Sequence, residues 1–259
     1  MNSEAWTTNN PAGRLYRALH DFKNASKQLG GAPLHHVWAH VFKLSGEDTG
    51  ALFAALQDVR HVFAEYRAAV ETYSSSPQWL LQDVPAITAL LNARNLEGDW
   101  GQYVDSVSEG VLRTLAHASH ELNNTTAEPV LSVAEVQEAR EALEAAYQTI
   151  DALELDPRAR ASLQSALDGM QSALARYRTL GIEAFWEEWI RALKDIIAAE
   201  ERAAAAVEER AAQWKPVRRA LALFTKAATL FGRGADAVIK IAGAHDGLTK
   251  LLGDGTTAM

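Results

Sequence analysis

Apolar residues along this chain recur at alternating steps of four and three, and almost nowhere at steps of two. The run Leu52, Leu56, Val59, Phe63, Tyr66, Val70 and Tyr73 is one example. A helix turns by about 100° per residue, so this spacing gathers the side chains on one face, whereas a strand needs alternation. No segment shows alternation bounded by turn residues, which leaves no place for a sheet. The expected fold is all-α: an elongated multi-helix bundle of about eight or nine helices, with a long penultimate helix and a basic amphipathic C-terminal helix.

Punctuation divides the chain further. Helices are expected over about 11–29, ending at Gly30-Gly31, then 33–44 with Pro33 suited to a first turn, and 48–73. Ser74-Ser75-Ser76-Pro77 breaks the pattern. Further helices are expected near 79–93 and 104–122, separated by a polar loop over 95–101. Asn123 to Pro129 reads as a linker. Ser132 and Glu135 have capping-box spacing, and Asp156-Pro157 restarts the chain with a cap and a first-turn proline. The two helices flanking that restart should form an antiparallel hairpin. Residues 182–213 read as one long helix of roughly 48 Å at 1.5 Å per residue, with Trp186 and Trp189 on its inner part. The expected organisation is an N-terminal bundle over 1–126, a hairpin plus long helix over 130–214, and a tail helix over 215–259, unless all three form one continuous domain.

The tail carries the most distinctive pattern. Val217, Leu221, Phe224, Ala228, Phe231, Ala235, Val238 and Ala242 form an apolar seam, while Arg219, Lys226, Arg233 and Lys240 recur every seven residues on the other side. Between Lys215 and Lys250, seven Lys or Arg stand against two Asp, a net charge of about +5, whereas the whole chain carries −8. An acidic body of about −13 thus precedes a basic rod, and such a body disfavours nucleic acid as a partner. The seam has three readings: the last helix of the bundle, a contact with a partner helix or a second copy, or insertion into anionic membrane. Trp214, beside Lys215 at the hinge, suits either a membrane interface or a packed helix junction. Residues expected at a partner or lipid surface are Trp214, Arg219, Leu221, Phe224, Lys226, Phe231, Arg233, Val238 and Lys240.

Chemistry finds little support. The chain has no cysteine, which removes disulfides, thiolate catalysis and cysteine zinc sites. Nucleophile-elbow, Walker and dinucleotide fingerprints are missing. His36 and His40 lie one turn apart, as do His117 and His120 at a spacing of three, and four imidazoles on two helices suggest zinc. The wheel turns both pairs away from the apolar faces, so solvated histidines are the preferred reading and no metal or other cofactor is expected. A di-iron bundle requires two Glu-x-x-His elements, and the nearest match is Asp58-x-x-His61 alone. The polar start, residues 1–11, resembles no signal peptide, and no uncharged run approaches the roughly 20 residues of a spanning helix.

Four stretches carry a family likeness: Pro33 to Phe42, Asn95 to Trp100, Leu153 to Pro157, and Ala175 to Gly181. In this order they resemble a group of uncharacterised bacterial all-helical cytosolic proteins. The resemblance implies a cytoplasmic protein and transfers no catalytic residue; the basic amphipathic tail adds a peripheral place at the inner membrane as an alternative expectation. The leading expectation is a non-enzymatic interaction or scaffold protein that self-associates or binds a protein partner through helix faces. The rivals are a membrane-acting effector, of the kind found in bacterial defence loci, and a metal-dependent helical enzyme using His36, His40, His117 and His120.

Overall fold

Capping side chains set where helices begin. In the computed structural model, which describes residues 9–45, 48–126, 131–153, 155–181, 190–192, 194–196, 198–199 and 214–230, the chain is all-helical. Asn10 opens α1 (Pro11–Gln28) by accepting from the Gly13 amide at 2.9 Å. Asp48 does the same for α3 (Thr49–Tyr73) through the Ala51 amide. Ser132 and Glu135 make a reciprocal box at the start of α7 (Val133–Thr149). Asp156 caps α8 (Pro157–Leu180) through the amides of Arg158 and Ala159. Each cap satisfies amides that the helix itself leaves without partners. Gly31 and Gly181, both with positive φ, follow α1 and α8, a backbone region in which other residues are strained.

The chain divides into two compact units, Met1–Glu128 with Arg178–Gly181, and Pro129–Tyr177 with Ile182–Met259. In the first, α1 packs against α6 (Glu109–Thr126), α3 and the short α2 (Leu34–Phe42). Leu15, Leu19 and Phe22 of α1, Trp38 of α2, Leu56 and Val59 of α3, and Leu115 and Leu122 of α6 are buried. Trp38 sits between Phe22 and Phe42, with ring centroids at 4.6 and 5.5 Å. The start of α2 has no side-chain cap. Instead Leu34 and His35 donate their amides to the carbonyls of Gly98 and Leu96, so the loop that reads as merely polar closes a helix end.

In the second unit, three bonds fix α7 and α8 as an antiparallel pair. The Tyr177 hydroxyl accepts from the Leu131 amide, Tyr147 donates to Asp168, and Arg160 meets Asp151. Partners rise along one helix as they fall along the other. The last described helix, α9 (Lys215–Leu230), packs on α7. Leu143, Ala146, Leu163, Leu167, Met170, Trp214 and Leu221 share one core cluster.

Several boundaries differ from the sequence reading. The single helix expected near 79–93 is broken into α4 (Pro77–Leu80), α5 (Val84–Leu90) and a 3₁₀ turn over Ala93–Asn95. Prolines at the starts of α4 and α5 explain the break, since Pro is tolerated in a first turn and not inside a helix. A 3₁₀ helix, Trp100–Val107, precedes α6, and the extended backbone of Ser108 separates them. Among the described residues the helices, 3₁₀ segments included, therefore number slightly more than eight or nine. Asn123 to Thr126 belongs to α6 rather than to a linker, with the Thr125 and Thr126 hydroxyls donating back to the Leu122 carbonyl. Tyr73, placed on the apolar stripe of α3, is 54% exposed in that helix's last turn. Among the described residues of 190–199 the backbone is helical, and Ala192, Ile196 and Ala199 are buried. Most of the expected long helix, including Trp186 and Trp189, lies outside the described residues.

Candidate interaction surface

Lys215 and Pro216 start α9, and the Arg218 amide bonds the Trp214 carbonyl at 3.0 Å. Trp214, Val217, Ala220, Leu221 and Thr225 then fall on one side and are buried, Trp214 being only 1% exposed. The Thr225 hydroxyl is satisfied by the Leu221 carbonyl at 2.8 Å. Lys215 and Arg219 occupy the exposed side, and Arg218 is half-buried. Arg219 reaches Glu138 of α7 at 3.3 Å, with the two side chains 66% and 46% exposed.

Magnitudes separate these contacts. Burying three large apolar side chains is worth on the order of 5 kcal/mol or more. An exposed ion pair contributes about 0–1 kcal/mol. The seam therefore holds α9 in place, and the Arg219–Glu138 pair adjusts its register. Trp214 and Leu221, expected at a partner or lipid surface, are core residues in this conformation, because α9 packs on α7 and both side chains join the unit's core cluster. Phe224 and Lys226 lie on α9, but their side chains are outside the description. Phe231, Arg233, Val238 and Lys240 fall outside the described residues altogether.

The histidines occupy a different surface. His36 and His40 are both exposed on α2, and His117 and His120 are both exposed on α6. His117 meets Trp79 edge to face at 5.1 Å. The two pairs are not brought together: among the described residues no group of three or more His, Asp or Glu converges as a metal site. Asp58 is buried, and His61 reaches Glu65 at 3.2 Å.

Close to His117, Glu121 accepts from the Ser74 hydroxyl at 2.8 Å and from the Ser75 amide at 2.9 Å. These bonds, Ser74 first, hold its carboxyl below the usual range. Lys23 does the same for Glu109, by a hydrogen bond and by its charge.

The sequence reading missed the polar interior of the first unit. Arg14, 1% exposed, bonds Glu65 at 2.8 Å, and Asn10 donates its side-chain amide to the Ser119 carbonyl. A helix start near Pro11 was legible, but the reach of Asn10 across to α6 was not. Arg14 is a charged residue beside the α1 stripe, and no periodicity marks it for burial.

No protein family, curated protein or solved structure matches this chain. Among the described residues no helix is long and apolar enough to cross a membrane.

Proposed function

We propose that this chain is a non-enzymatic helical interaction protein whose C-terminal helix docks on its own unit by the apolar seam and offers its basic side to an acidic protein surface. One observation carries the reading: α9 packs on α7 with its greasy side in the unit's core cluster, while Lys215 and Arg219 remain in solvent. A helix that needed its seam for a partner would first have to expose Trp214, Val217 and Leu221, at a cost of several kcal/mol. The outward basic side requires no such release. In the sequence the same seven-residue spacing from Arg219 continues with Lys226, Arg233 and Lys240. A second copy is one candidate partner, since the rest of the chain is acidic.

Photo-crosslinking tests this directly. A photo-activatable residue in place of Arg219, in the cells that make the protein, should yield adducts with an acidic protein or with a second copy. The same residue in place of Arg67 on α3 should not. Light scattering on the purified chain then separates the two partners. Adducts with lipid alone, together with flotation on anionic vesicles, would instead favour the membrane-acting alternative. Adducts from neither position would overturn the proposal.

A further inference from the structure

We propose that His36 and His40 form a two-imidazole site for a divalent transition cation of the copper, nickel or zinc class on the open side of α2. Residues four apart on a helix lie one above the other, about one 5.4 Å turn apart, and can close a chelate on one ion. Both rings are exposed. Neither ring nitrogen of His36 or His40 has a hydrogen-bond or ionic partner among the described residues, although the His35 ring lies against His36 at 4.3 Å.

Three of the other described histidines have a polar partner: His20 contacts Asn24, His35 bonds the Leu96 carbonyl, and His61 meets Glu65. His117 packs edge to face on Trp79, as His36 does on His35, and His120 follows it at a spacing of three. Among the described residues the α2 pair is the one in which two exposed imidazoles stand four apart.

Its place in the helix favours a cation. His40 lies in the last turn of α2, at the negative end of the helix dipole. Lys43, just beyond the end and exposed, opposes this in part. With no third protein ligand nearby, water fills the remaining positions. The site is thus exchangeable rather than structural, and imidazole donors select this class of ion over magnesium or calcium. Protons compete for the same nitrogens, so binding weakens in acid.

The test uses the full chain and Cu²⁺ alone, followed by Zn²⁺ alone. One equivalent of Cu²⁺ should broaden the ring-proton NMR signals of His36 and His40 before those of His117 and His120. The double variant His36→Asn/His40→Asn should weaken Cu²⁺ and Zn²⁺ binding at least tenfold by calorimetry. His117→Asn/His120→Asn should change it less than twofold. Single His40→Gln, which retains one imidazole, should fall between the wild type and the double variant. Equal broadening of all exposed histidines, or unchanged affinity in the double α2 variant, would overturn the site. Circular dichroism confirms that each variant is folded before it is scored.

Discussion

In the first unit Asn10, Arg14, Asp58, Thr114 and Ser119 lie buried among the apolar side chains; in the second, the one buried polar residue among those described is Thr225. The second interior is built instead from small residues, with Ala139, Ala142, Ala146, Ala159, Ala166 and Ala173 all buried. Directional bonds such as Asn10–Ser119 and Arg14–Glu65 leave helices few alternative registers, because a slip strands a buried polar group. Alanine faces let helices approach closely and fix register by shape alone. The first unit should therefore be most sensitive to loss of a bond, and the second to any change of volume.

The largest effect should come from Trp214→Ala. It opens a cavity in the second core and should cost about 3–5 kcal/mol. Residue-resolved hydrogen exchange should show the loss first in α7–α9, and equal loss in α1–α6 would break the comparison. Next, Arg14→Ala should cost about 3 kcal/mol in the first unit, because Glu65 loses the partner that compensates its partial burial. A cost below about 1 kcal/mol would mean the polar interior there is dispensable.

Overpacking should follow. Ala146→Leu, placed in a fully buried position of α7, should cost about 1–3 kcal/mol, read as a lower denaturation midpoint with an unchanged slope.

Two tyrosines sharpen the contrast. Tyr66 donates to the Leu80 carbonyl at 2.5 Å deep in the first unit, whereas Tyr147 donates to the exposed Asp168 in the second. Tyr66→Phe leaves a buried carbonyl without that donor and should cost about 1–2 kcal/mol, against about 0.5 kcal/mol or less for Tyr147→Phe. Burial, aided by the Asp83 charge, raises the Tyr66 phenol, and burial with the Asp168 bond raises that of Tyr147. A raised phenol favours the neutral form in the fold. Its stabilisation is complete below the ordinary tyrosine range near pH 10 and declines as pH climbs above it, where the unfolded phenol ionises first. The wild type should therefore lose stability above about pH 10, and Tyr66→Phe should blunt that loss more than Tyr147→Phe.

The smallest effect belongs to Arg219→Ala, at about 0.5 kcal/mol or less and vanishing in high salt. A loss above about 1 kcal/mol would mean that the ion pair, and not the seam, anchors α9.

The candidate surface was partly legible in the same terms. Heptad spacing separated the basic from the apolar side of α9, and Arg219 and Trp214 do fall on opposite sides. What would cover the apolar side was not legible, because an amphipathic stripe states a need for cover and not its source. For Leu221 and Trp214 the cover comes from the same unit, where α9 packs on α7.

The sequence by itself determined that the chain is helical, where most helices start and stop, and which side of each is apolar. Period and capping are local properties, complete within a few residues of chain. Only the tertiary structure decided that Arg14 enters the core, that the loop of Leu96 and Gly98 closes the start of α2, and that α9 lays its seam on α7. Those outcomes depend on residues far apart in the chain meeting in space, and burial of a charge or an orphan amide is settled by the partner that arrives, which no local pattern encodes.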